Sequence, residues 1–147
     1  MHDKIAYETF TNGFNCAQSV ISAFAPELGI SRELSLKLAT GLGAGVNYNG
    51  NTCGAILGAY VILGLNYGVD KPGDEEGKKK FRELADKFTC EFLKSYPSIN
   101  CRELLQADIS DPAILQKLRE KNVFREVCPK IVKKSAAILE AIMEGRL

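Results

Sequence analysis

Apolar residues in this chain recur every three to four positions, and nowhere do they alternate with polar ones for more than a few residues. That period matches a helix with one buried face and not a half-buried strand. The chain is therefore expected to be all-α. Turn and cap signals divide it. A first helix is predicted from about Asp3 to Thr11, stopped by Asn12-Gly13. A second runs from Asn15 to about Phe24, with Ala17, Val20, Ile21 and Phe24 at helical spacing. A third begins near Ser31 and reaches Thr40. The stretch Gly41 to Gly50 reads as a glycine-rich loop. A fourth helix starts at Cys53 and runs through Leu65. Pro72-Gly73-Asp74 opens what is expected to be the longest helix, ending before Pro97. A short helix follows from Cys101 to Gln106. Asp111-Pro112 opens another in the favoured order of cap, then proline. The last is expected from Pro129 to Glu144. No linker or repeat divides these segments, so residues 1–147 read as one domain, a compact bundle of about seven or eight helices.

Composition narrows the partners. The 147 residues carry 19 basic and 18 acidic side chains, a formal net charge of +1. Such neutrality argues against nucleic acid, whose binders carry a basic excess. It also supplies no polybasic handle for an anionic membrane. The longest apolar run, Cys53 to Leu65, is too short to span a bilayer, so no membrane insertion is expected. The start, Met1-His2-Asp3-Lys4-Ile5-Ala6, lacks the order of a signal peptide, which makes the cytoplasm the expected compartment. Permanent disulfides are rare there, so five cysteines lean toward reactive thiols or metal ligands. The plain alternative is buried, inert cysteine.

Position favours reactivity for four of the five. Asn15-Cys16-Ala17-Gln18 has the form of a capping box with the cysteine in the first helical position, and Asn100-Cys101-Arg102-Glu103 has the same form. Cys53 follows Thr52, a good N-cap residue. Cys128 precedes Pro129, which places the cysteine at an N-cap and the proline at the first turn. A helix start carries roughly +0.5 of a charge and favours thiolate over thiol. Cys90 lies inside the long helix between apolar neighbours and reads as structural. Gly54 and Gly58, four apart in the Cys53 helix, put small residues on one face. They suit either a close helix crossing or a bound group. The same face permits a second copy of the chain to approach, so a homodimer is an expectation. Tyr48, Asn49 and Asn51 stand where a pocket beside Cys53 would be lined. His2 is the only histidine and sits at a terminus expected to be mobile, so a Cys–His pair is not expected.

Cys53-Gly54-Ala55-Ile56-Leu57-Gly58 resembles the CGAxxG core of the C_GCAxxG_C_C family of redox-active proteins. Cys16 matches the family's upstream cysteine. Cys101, in Asn-Cys-Arg-Glu-Leu-Leu, and Cys128, in Val-Cys-Pro, match the two downstream ones. The resemblance covers most of the chain and implies redox activity without a named substrate. Cys90 has no counterpart in the pattern.

The four cysteines are 37, 48 and 27 residues apart in turn, and no CxxC pair exists. This spacing disfavours a thioredoxin-like site or a zinc ribbon. Helix starts gathered at one end of a bundle can still bring Cys16, Cys53, Cys101 and Cys128 together. Such a cluster can form dithiol/disulfide couples that exchange electrons with an unidentified redox partner. It can equally hold an iron–sulfur cluster or a zinc ion. A non-catalytic protein that binds or transfers zinc or copper is the rival from another class.

Overall fold

The computed structural model describes all 147 residues as helices and connecting turns, without a strand. The helices are α1 (His2–Thr11), α2 (Cys16–Phe24), α3 (Arg32–Leu38), α4 (Gly43–Val46), α5 (Gly54–Tyr67), α6 (Glu75–Leu93), α7 (Cys101–Leu105), α8 (Pro112–Glu120) and α9 (Val123–Met143). These are nine rather than seven or eight. The addition is α4, a single irregular turn whose Ala44 and Gly45 are left-handed, inside the segment expected to be loop.

The apolar spacing explains the packing. Ala55, Ile56, Ala59, Ile62 and Leu63 of α5 are wholly buried. α5 runs through the middle of the fold, flanked by α2, α6 and α9. α2 can come close because α5 presents Gly54 and Gly58 to it. A Cβ on Gly54 would lie 2.9 Å from the Ala17 amide nitrogen and 3.0 Å from the Leu42 carbonyl oxygen. One on Gly58 would lie 3.0 Å from the Val20 Cβ. The small-residue face is thus filled by a helix of the same chain. α9 is fastened to α5 by the buried Ser135 hydroxyl, which donates to the Ala55 carbonyl at 2.7 Å. α6 turns only Phe88 and Phe92 fully inward, and the rings of Phe88, Phe92 and Tyr96 follow one another at 6.4 and 4.9 Å.

Several expectations need correction. The longest helix is α9, with 21 residues against 19 for α6. It begins at Val123, after Asn122 in the left-handed conformation, so Cys128 and Pro129 lie inside it. Cys128 is no N-cap. Proline is favoured at a helix start because no N–H is needed there, and that preference suggested a later beginning. Here Pro129 leaves the Arg125 carbonyl without its usual amide partner, in the turn next to Cys128. Cys90 is on the exposed side of α6 and does not join the core. His2 is buried and ordered: its ring stacks on Phe24 at 4.1 Å, and its nitrogens face Glu140 at 2.5 Å and Glu27 at 3.0 Å. The clasp fixes α1 onto α9.

Candidate functional site: four cysteines on one cavity

Each of the four cysteines reaches the same place by a different local route. Cys16 opens α2. The capping box forms there: Gln18 N–H donates to the Asn15 side chain at 2.8 Å, and Asn15 N–H donates to the Gln18 side chain at 2.9 Å. The Asn15 amide also donates to the carbonyls of Ala39 and Thr40. These bonds tie the start of α2 to the end of α3. Cys53 is itself the N-cap of α5, one position before the helix expected to begin with it. Its sulfur lies near the amides of Ala55 and Ile56 without making a cap hydrogen bond. Cys101 opens α7, yet Asn100 makes no side-chain cap, and its amide donates to the Ser98 hydroxyl at 2.9 Å. Cys128 projects from the interior of α9.

Two of these segments are bonded to each other. Thr52 and Asn100 form an isolated antiparallel bridge. Cys53 N–H donates to the Ile99 carbonyl and Cys101 N–H to the Asn51 carbonyl, both at 2.7 Å. Successive residues of an extended segment point to opposite sides. Cys53 and Cys101 therefore share the side away from Thr52 and Asn100. No spacing in the sequence announces this tie, because it joins residues almost fifty positions apart.

Cys16, Cys53, Cys101 and Cys128 all line one cavity of about 190 Å³. Its walls are mainly apolar, from Phe10, Phe14, Leu104, Leu105, Phe124 and Ile131. Gly54 lines it as well, whereas Gly58 lies deeper in the α2–α5 contact. Tyr48 reaches the mouth, with the Arg119 guanidinium 5.6 Å from its ring centre. Asn49 and Asn51 stay outside and serve through their backbone carbonyls, which accept from Arg102 and Cys101. The aromatic walls and Arg119 were not legible in the sequence, since nothing local marks them.

The mouth rests on unusual backbone. Ala44, Gly45, Val46, Asn47 and Tyr48 all have φ between 51° and 68°, a left-handed turn. Each non-glycine residue there costs roughly 1–2 kcal/mol. Gly45 could not be replaced, because a Cβ would fall 2.4 Å from the Asn51 amide nitrogen. Arg102 braces the turn through the Asn49 carbonyl at 2.9 Å and the Gly50 carbonyl at 3.3 Å.

The electrostatics separate the thiols. The neighbouring Cys128 and Cys53 thiols, together with burial, hold the pKa of Cys16 well above the ordinary value. Cys53 moves the other way. The Cys16 thiol and the Ala55 and Ile56 amides outweigh the burial penalty and lower its pKa. Burial, reinforced by the charges of Cys53 and Cys128, pushes Cys101 up to about 12. Helix-start stabilisation of thiolate was expected at four sulfurs. The lowering appears at Cys53, while at Cys16 and Cys101 burial and neighbouring sulfur prevail.

No disulfide joins any of the four cysteines. As donors, four soft sulfurs suit zinc or an iron–sulfur cluster. Their arrangement forms no group of three or more positioned to hold a metal ion. A metal would need these side chains to turn toward a common point.

Fold and site together define a class: all-helical proteins with four buried cysteines facing one cavity. Within that class, the chain belongs to the C_GCAxxG_C_C family, described as "Putative redox-active protein (C_GCAxxG_C_C)", whose pattern matches residues 14–142. No curated protein and no solved structure matches the chain significantly. No helix is long and apolar enough to cross a membrane.

Proposed function

We propose that the protein performs thiol–disulfide redox chemistry, with Cys53 as the attacking thiolate and Cys16 as the resolving thiol. The observation that carries this reading is their juxtaposition: Cys53 caps α5, Cys16 lies beside it across Gly54, and both face one cavity. Thiolate is the attacking form, and a neighbouring thiol can complete the exchange. In the first step Cys53 attacks a disulfide, and the departing sulfur takes the Cys16 proton. In the second, the Cys16 thiolate attacks the Cys53 sulfur and expels the other half as thiolate. The protein dithiol is oxidised and the external disulfide reduced, by two electrons. Cys101 and Cys128 face the same cavity and supply a second pair of thiols.

Thiol counting in a redox titration tests this. The reduced chain should lose two thiols together, and Cys53→Ser should abolish the paired loss. The rival reading, binding of zinc or an iron–sulfur cluster, rests on the softness of the same four sulfurs. Metal and sulfide analysis after anaerobic purification distinguishes it: stoichiometric metal favours the rival, and none favours the dithiol.

A further inference from the structure

The dithiol reading leaves open what oxidises the pair. All four site cysteines are at most 8% exposed and face the cavity. Disulfide exchange requires sulfurs to approach bonding distance, about 2 Å. A disulfide fixed on a folded protein's surface would have to enter the cavity to reach Cys53. A space of about 190 Å³ holds only a small molecule, equivalent to roughly six waters.

The lining also selects chemistry. Arg119 is the only lining residue with a basic or carboxylate side chain. It takes part in none of the protein's ion pairs. The arginine side chains that do donate hydrogen bonds are those of Arg32, Arg102 and Arg146. Asn15, the other strongly polar lining residue, spends its amide and oxygen on α2 and α3. Arg119, an exposed residue, thus stands at the mouth of an apolar cavity, above Tyr48, with no protein group bonded to its guanidinium. A guanidinium in that state suits a carboxylate, which it can bind through two parallel hydrogen bonds.

We propose that the cavity takes a small organic disulfide bearing a carboxylate, with Arg119 holding the carboxylate at the mouth while the apolar body and disulfide enter toward Cys53. This rests on the thiol–disulfide reading above. The exchange is the same two-step reaction: the small disulfide becomes one thiol and one thiolate, and the Cys16–Cys53 bond forms.

Three disulfides of similar size and different charge test the assignment: dithiodipropionate, bis(hydroxyethyl) disulfide and cystamine. Each is mixed with the reduced full chain carrying Cys90→Ser, and intramolecular disulfide formation is followed by mass after acid quench. Dithiodipropionate should react fastest, about tenfold over the neutral probe, the size of one charge-assisted hydrogen bond. Arg119→Gln should lower the rate with dithiodipropionate relative to the neutral probe about tenfold, removing that preference, and Arg119→Lys should restore part of it. Left to the thiolate's own charge, cystamine would lead and the dianion trail. That order, or a preference that survives Arg119→Gln, overturns the proposal. A Cys53→Ser chain that oxidises as fast as its parent with all three probes instead overturns the underlying reading.

Discussion

Cys16, the first residue of α2, stands beside Cys53, the cap of α5, across Gly54; the pKa of Cys16 is raised by Cys128 and Cys53, while that of Cys53 is lowered by Cys16. The α2–α5 crossing makes this possible, because Gly54 leaves no side chain between the two helix starts. A Cβ there would stand 3.2 Å from the Cys16 Cβ.

Gly54→Ala is therefore expected to destabilise the protein by about 1–3 kcal/mol, the usual cost of overpacking. Helix propensity alone predicts the opposite sign, a gain of roughly 1 kcal/mol. Chemical denaturation of the variant decides between them. Stabilisation would mean that the crossing has room to spare.

The pKa order predicts which thiol reacts first. With Cys90→Ser as background, Cys53 should be alkylated by iodoacetamide at lower pH than Cys16 or Cys101. Cys101 should resist until the pH nears about 12. Peptide mapping across pH reads the order, and Cys101 reacting ahead of Cys53 would contradict it.

The same shift makes a stability prediction at alkaline pH. Cys101 has its pKa raised from 9.0 to about 12, so folding favours its neutral form. That contribution is complete below the unfolded value and is lost as pH rises through the folded one. Stability should fall between pH 9 and about 12, and Cys101→Ala should flatten the fall. Thermal melts across that range measure it.

The N-terminal clasp should fail in acid. Burial pushes Glu140 up, but its hydrogen bonds with His2 and the terminal amine prevail, and its pKa lies below 4.5. A depressed carboxylate stabilises above its unfolded pKa, and the effect is lost as pH drops through the folded value. His2→Ala is expected to cost about 1–3 kcal/mol at neutral pH by leaving the half-buried Glu140 carboxylate short of a partner. An unchanged melting temperature would show that α1 docks without the clasp.

Much of the fold was legible because its signals are local. Asn15 with Gln18, and Asp111 with Pro112, mark α2 and α8 where those helices begin. The features that escaped depend on distant partners. His2 is ordered by Glu140, 138 residues away. Cys53 and Cys101 are aligned by a bridge between segments that show no strand pattern. Pro129 misled because the same residue signals a helix start and is tolerated within α9. The convergence of four cysteines followed from their cap positions for Cys16, Cys53 and Cys101. Cys128 arrives by the geometry of α9 instead. Cys90 shows the converse error: an apolar setting in sequence suggested burial, yet the helix turns it to solvent.

Cys53 and Cys16 are proposed as the reactive couple. Disulfide mapping by mass spectrometry, on reduced full-length protein oxidised by a small disulfide and acid-quenched, tests it most directly. A Cys16–Cys53 linked peptide is expected as the first intramolecular product, absent in Cys53→Ser. A chain in which these two cysteines stay reduced while Cys101 and Cys128 pair first would contradict it, as would no bond among the four.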